Sequence, residues 1–133
     1  MNRRILLALA ATLPILFTAP ASAAEFIAYK PGVLETALSE GKTVFVDFYA
    51  PWCITCRSQS RTIEKLLAAN PAYAAKMTFV RVDWDSYGDQ PVSTDRKIPR
   101  RSTLLVLRGD KELGRIVAGT SEADIKALLD KGL

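Results

Sequence analysis

Thr43-Val44-Phe45-Val46-Asp47-Phe48-Tyr49-Ala50-Pro51-Trp52-Cys53-Ile54-Thr55-Cys56 is the stretch that decides how this chain folds. Its first seven residues are mostly β-branched or aromatic, the composition of a strand buried on both faces. Asp47 is the exception, a lone carboxylate inside an apolar run. The strand ends at Ala50-Pro51-Trp52, and Ile63, Leu66 and Leu67 then recur on one helical face until Asn70-Pro71 closes the helix. Two cysteines separated by two residues therefore sit where a strand runs into a helix.

Working outward, residues 26–29 read as a short first strand, and residues 31–40 as a helix with Val33, Leu34, Ala37 and Leu38 at helical spacing and Gly41 as its stop. Residues 77–82 form a second buried strand, and residues 83–96 are polar with no clear period. Residues 103–107 and 113–117 are two further strands joined through Gly109-Asp110, a hairpin signal. Thr120 or Ser121 caps a final helix with Ile125, Leu128 and Leu129 on its apolar face. Helices between the first three strands require parallel crossovers, and the hairpin adds antiparallel pairing. The expected class is α/β: a mixed central sheet of about five strands with helices on both faces.

A chain of 133 residues suffices for one core, and its 49% hydrophobic and 24% charged composition is that of a globular protein. A formal charge of +4, spread along the chain, gives no nucleic-acid signature. The absence of histidine excludes Ser–His and Cys–His pairs and leaves almost no ligand set for zinc. Residues 1–23 read as a cleavable secretory signal peptide: Arg3 and Arg4, an apolar stretch from Ile5 to Phe17, then Ala21-Ser22-Ala23. The rival is an uncleaved anchor, although the apolar run is short for a membrane span. Residues 24–133 are the expected mature domain, without stable membrane insertion, in an oxidising compartment where two thiols can pair.

The cysteine pair carries the chemistry. Two residues between the thiols allow a small disulfide ring. Cys53 at a helix N-terminus faces unpaired N–H groups and the positive end of the dipole, which favour the thiolate. Cys56 lies one turn further in and suits the resolving role. Cys53 then attacks a substrate disulfide, a mixed disulfide forms, and Cys56 releases the reduced product. A purely structural disulfide is a poor alternative, because so short a ring constrains little of the unfolded chain. No metal or cofactor is expected, although a metal or cluster shared between two chains stays open as a rival. Asp47, six residues before Cys53, is expected to have its pKa raised by burial.

The stretch from Val44 to Cys56 resembles the active-site strand and loop of the thioredoxin family, with Asp47, Trp52 and both cysteines at the family's spacing. The likeness spans the mature chain, including Gly119 after the last strand, and is closest in flavour to exported members such as the periplasmic domains of transmembrane thiol reductases. It implies a thioredoxin fold, a periplasmic thiol–disulfide oxidoreductase acting on protein disulfides, a monomer, and a membrane thiol-electron donor. It also implies that Asp47 relays a proton to or from Cys56 through water.

The chain departs from the family in two places. Ile54-Thr55 replaces Gly-Pro between the cysteines, and no histidine precedes Cys56 as it does in strongly oxidising relatives, so reduction of partners is the expected direction. The family places a cis-proline opposite the cysteines, whereas Ile98-Pro99-Arg100-Arg101-Ser102-Thr103 offers two registers. A gapless register puts Ser102 there with a trans bond; the other puts Pro99 there with two extra residues bulging. The expected substrate groove comprises Trp52, Ile54, Thr55, Arg101, Ser102 and Thr103. Arg100 or Arg101, from the basic cluster with Arg96 and Lys97, is a candidate neighbour of the sulfurs. Alternative functions are a disulfide oxidant or isomerase on the same fold, and a non-enzymatic binding or metal-holding module.

Overall fold

The computed structural model describes residues 24–133, so the expected signal peptide at residues 1–23 lies outside the described residues. Five strands form one sheet: β1 (Ile27–Ala28), β2 (Thr43–Tyr49), β3 (Met77–Asp83), β4 (Thr103–Arg108) and β5 (Lys111–Val117), in the order β1-β3-β2-β4-β5. β2 pairs in parallel with β3 and antiparallel with β4; β1 adds in parallel to β3, and β5 closes the hairpin with β4. Among the described residues the six helices are α1 (Val33–Ser39), α2 (Ile54–Ala69), α3 (Ala72–Lys76), α4 (Trp84–Tyr87), α5 (Pro91–Thr94) and α6 (Glu122–Asp130).

The continuous apolar run of β2 is explained by two cores, one on each face. Val44, Val46 and Phe48 join Leu34, Val80, Val82, Ile98 and Leu105 on the α1 side. Phe45 points the other way, into Ile63, Leu66, Leu67, Tyr73, Phe79 and Leu104, with Ile125 and Leu129 of α6 completing that layer. Side chains alternate along a strand, so Asp47 shares the α2 face with Phe45. The thioredoxin fold, a five-stranded mixed sheet with helices on both faces, is present.

Local chemistry accounts for the boundaries. Gly41 takes φ 76° after α1, a left-handed conformation that glycine adopts without strain. Ser121 caps α6, its Oγ accepting the Asp124 N–H at 3.4 Å, while Glu122 and Asp124 put negative charge in the first turn. The region expected to be irregular, residues 83–96, contains the single-turn helices α4 and α5. Asp83 caps the first through the Asp85 N–H at 3.2 Å, and Pro91 opens the second with a preset φ. α3 is a further turn beyond Asn70-Pro71, with Asn70 Oδ1 accepting the Ala72 N–H at 3.1 Å. Helices this short show no apolar period. Among the described residues, no helix is long and apolar enough to cross a membrane.

Candidate active site

Cys53 is the N-cap of α2, extended at φ −84° and ψ 113°, and its Sγ accepts the Cys56 N–H at 3.1 Å. That bond is the usual capping interaction with sulfur in place of oxygen, and it aims an unpaired helical N–H at the sulfur. Cys53 and Cys56 are joined as a disulfide with Cα atoms 5.2 Å apart. Both are buried, Cys53 at 4% exposure and Cys56 at 0%. Ala50 packs beneath them, its carbonyl accepting the Cys53 N–H at 3.1 Å.

Ser102 faces this pair. Its hydroxyl lies 3.1 Å from Cys53 Sγ and 3.1 Å from Cys56 Sγ. Its peptide bonds are trans, and its backbone is left-handed at φ 64°. The Ser102 N–H donates to Phe48 O at 2.8 Å, and its carbonyl accepts from the Ala118 N–H at 2.8 Å and from Gln59 Nε2 at 3.0 Å. The gapless register is therefore the one the fold adopts, while Pro99 is exposed.

The expected groove residues separate. Trp52 and Ile54 are exposed at 54% and 74%, and Thr55 is half-buried, so these three present a surface beside the disulfide. Arg101 stacks its guanidinium 4.3 Å over the Trp52 ring, and the Trp52 indole N–H donates to the Asp85 carboxylate at 2.9 Å. Arg101 is thus coupled to the exposed aromatic face. Thr103 corrects the expectation: it is fully buried in β4, with its hydroxyl donating to Arg100 O at 2.7 Å, so its side chain does not line an open groove. Of the remaining basic residues, Arg96 and Lys97 offer their carbonyls to Arg115 at 2.7 and 3.0 Å, which pins this loop to β5.

Asp47 is wholly buried, and burial pushes its carboxyl up to about 6 despite the opposing charge and hydrogen bond of Arg81. Arg81 sits across the β2–β3 ladder in direct register with Asp47 and binds its Oδ2 at 2.9 and 3.0 Å. The same guanidinium holds Ser60 Oγ at 3.1 Å and lies between the Phe26 and Tyr49 rings, 4.3 and 4.2 Å from their centroids. Ser60 is one helical turn beyond Cys56, so Arg81 bridges the buried acid to the helix that carries the sulfurs. Asp47 Oδ1 has no hydrogen-bond partner among the described residues.

The sequence reading missed three residues: Arg81, Gln59 and Asp85. Arg81 carried the same signal as Asp47, a charge interrupting an apolar strand. Gln59 continues the Cys56–Ile63 face of α2, where a polar residue must find partners, and its Nε2 also binds Gly119 O at 2.8 Å. Asp85 gave no local signal. Among the described residues, no three Cys, Asp or Glu side chains converge as a metal site.

The thioredoxin family model matches residues 27–131, which spans every element just described. This chain belongs to the thioredoxin family. It is 34% identical to thioredoxin-1 of Saccharomyces cerevisiae over 92 residues, covering 69% of this chain and 82% of the yeast protein. It is 31% identical to the thioredoxin of Echinococcus granulosus over 96 residues, 72% of this chain and 83% of the relative. The crystal structure of Trxlp from Edwardsiella tarda superposes with a TM-score of 0.64 at 28% identity, covering 75% of this chain and 94% of that one. The chain is a thioredoxin-type thiol–disulfide oxidoreductase, and thioredoxins act on protein disulfides through their own redox-active cysteine pair, without an external cofactor. In this chain the pair is Cys53–Cys56.

Proposed function

We propose that this chain is an exported, monomeric reductant of protein disulfides. The observation that carries the direction is Asp47: a buried carboxyl that holds its proton up to about pH 6, tied through Arg81 to the helix bearing Cys56. A reductant must deprotonate its resolving thiol while the mixed disulfide waits, and a buried acid titrating near working pH, reached through water, serves that step. Cys53 attacks one sulfur of the substrate disulfide, forming the mixed disulfide and releasing the first substrate thiol. Asp47 takes the Cys56 proton through an intervening water, and Cys56 displaces the second substrate thiolate to restore the Cys53–Cys56 bond. Exposed Trp52 and Ile54 supply the surface on which the substrate rests.

The exported location rests on Arg3, Arg4, the apolar stretch from Ile5 to Phe17 and Ala21-Ser22-Ala23. A periplasmic reductant needs electrons from across the membrane. Similarity to the thiol:disulfide interchange protein DsbD of Pseudomonas fluorescens, 27% over 105 residues and 17% of that protein, supports a membrane thiol donor. Insulin reduction followed by turbidity tests the reading. The wild-type protein precipitates insulin in the presence of a dithiol, Cys53→Ser does not, and Cys56→Ser holds client proteins as mixed disulfides on Cys53. Equal activity in the wild type and both serine variants overturns it.

A further inference from the structure

We propose that Ser102 is a catalytic residue of this chain, a hydroxyl donor that stabilises negative charge on whichever of the two active-site sulfurs is carrying it. A disulfide sulfur has no hydrogen to give, so in whichever of the two contacts is hydrogen-bonded the Ser102 hydroxyl is the donor. It has one proton and two sulfurs in reach, both at 3.1 Å. Swinging about its Cα–Cβ and Cβ–Oγ bonds, it can follow the charge. Cys53 Sγ also accepts a backbone N–H, from Cys56 at 3.1 Å. Cys56 Sγ has no other hydrogen-bond partner among the described residues. The hydroxyl therefore matters most for Cys56.

The fold holds that hydroxyl in place deliberately. Ser102 keeps a left-handed backbone at φ 64°, which is unfavourable for a residue with a side chain. Three hydrogen bonds hold it, to Phe48 O, from Ala118 N–H and from Gln59 Nε2. The side chain has no exposure, so its bond to a thiolate is not weakened by competing solvent.

The inference rests on the proposed roles of Cys53 and Cys56 but not on the direction of flux. When a dithiol donor reduces the resting protein, the donor thiolate bonds to Cys53 Sγ. The Cys53–Cys56 bond breaks, and its electron pair stays on Cys56 Sγ, to which Ser102 donates. The second donor thiol loses its proton and displaces Cys53. The donor leaves as a disulfide, and this chain retains one thiolate and one thiol, the latter holding that proton. When Cys53 is the attacking thiolate, Ser102 turns to it. Favouring the thiolate favours the reduced protein, so the hydroxyl makes the disulfide easier to reduce.

Ser102→Gly is the decisive variant, because glycine accepts the positive φ and only the hydroxymethyl group is lost; Ser102→Ala is its companion. The chain has two cysteines, so the ultraviolet absorbance of the thiolate, followed below the pH at which phenols ionise, reads this site. In Ser102→Gly the first thiol pKa is expected to rise by about one unit, as for loss of a hydrogen bond to a charge. The equilibrium constant with glutathione should shift about tenfold toward the disulfide, a potential about 30 mV more negative. Thermal stability should stay level or rise, which separates this effect from a structural one. If folded Ser102→Gly keeps the thiol pKa within about 0.3 unit and the glutathione constant within about twofold of wild type, the proposal is overturned. Neither measurement requires insulin turnover, so a failure of the reductase reading leaves this test intact, and the converse holds.

Discussion

At the scale of single residues, Asp47 links stability to pH. Its carboxyl titrates near 3.8 in the unfolded chain and is raised to about 6 in the folded one. The folded protein therefore binds the extra proton, and the stabilisation is full below about pH 4 and is lost as pH rises through about 6. The span corresponds to about 3 kcal/mol. Asp47→Asn removes this dependence, so the variant should exceed wild type in stability by about that amount at neutral pH and match it in acid, as read by urea denaturation at both ends. Insulin reduction should slow in the same variant, since Cys56 loses its proton acceptor. Arg81→Met should push the Asp47 transition upward, because the guanidinium is what opposes the effect of burial. Asp47 was legible in the sequence as an acid out of place. Arg81 was equally visible but went unread, because the meaning of one buried charge depends on the strand register that brings its partner alongside.

At the scale of elements, α2 does two jobs. Its N-terminus presents Cys53, and its buried face ties the sulfur-bearing turn to the loops opposite it. Gln59 makes that tie, binding Ser102 O at 3.0 Å and Gly119 O at 2.8 Å. Gln59→Leu should cost about 2 kcal/mol, the penalty for stranding buried carbonyls, as measured by urea denaturation. Ser121→Ala should cost about 1 kcal/mol by uncapping α6, with little effect on redox behaviour, because that helix packs under β4 and β5 rather than at the sulfurs. The long elements were legible because periodicity over two or more turns, or a continuous apolar run, is a strong local signal. The single turns α3, α4 and α5 were not, since their capping groups, Asn70, Asp83 and Pro91, look like ordinary loop residues until the chain is folded.

For the whole molecule, the export proposal predicts that the purified periplasmic form begins at Ala24, as read by N-terminal sequencing; a chain still starting at Met1 and held in the membrane overturns it. The sequence by itself determined the fold class, the redox pair and the oddity of Asp47. Each is written locally, in an apolar run, a spacing of two residues and a charge where none should be. The tertiary structure decided what surrounds the pair. Which of Ser102 and Pro99 stands opposite the cysteines depends on the pairing of β2 with β4, contacts between residues some fifty positions apart. So does the retreat of Thr103 from the groove, and so does the capture of Arg101 by Trp52. Long-range register is a property of the packed sheet, because a shift of one residue exchanges the two faces of a strand.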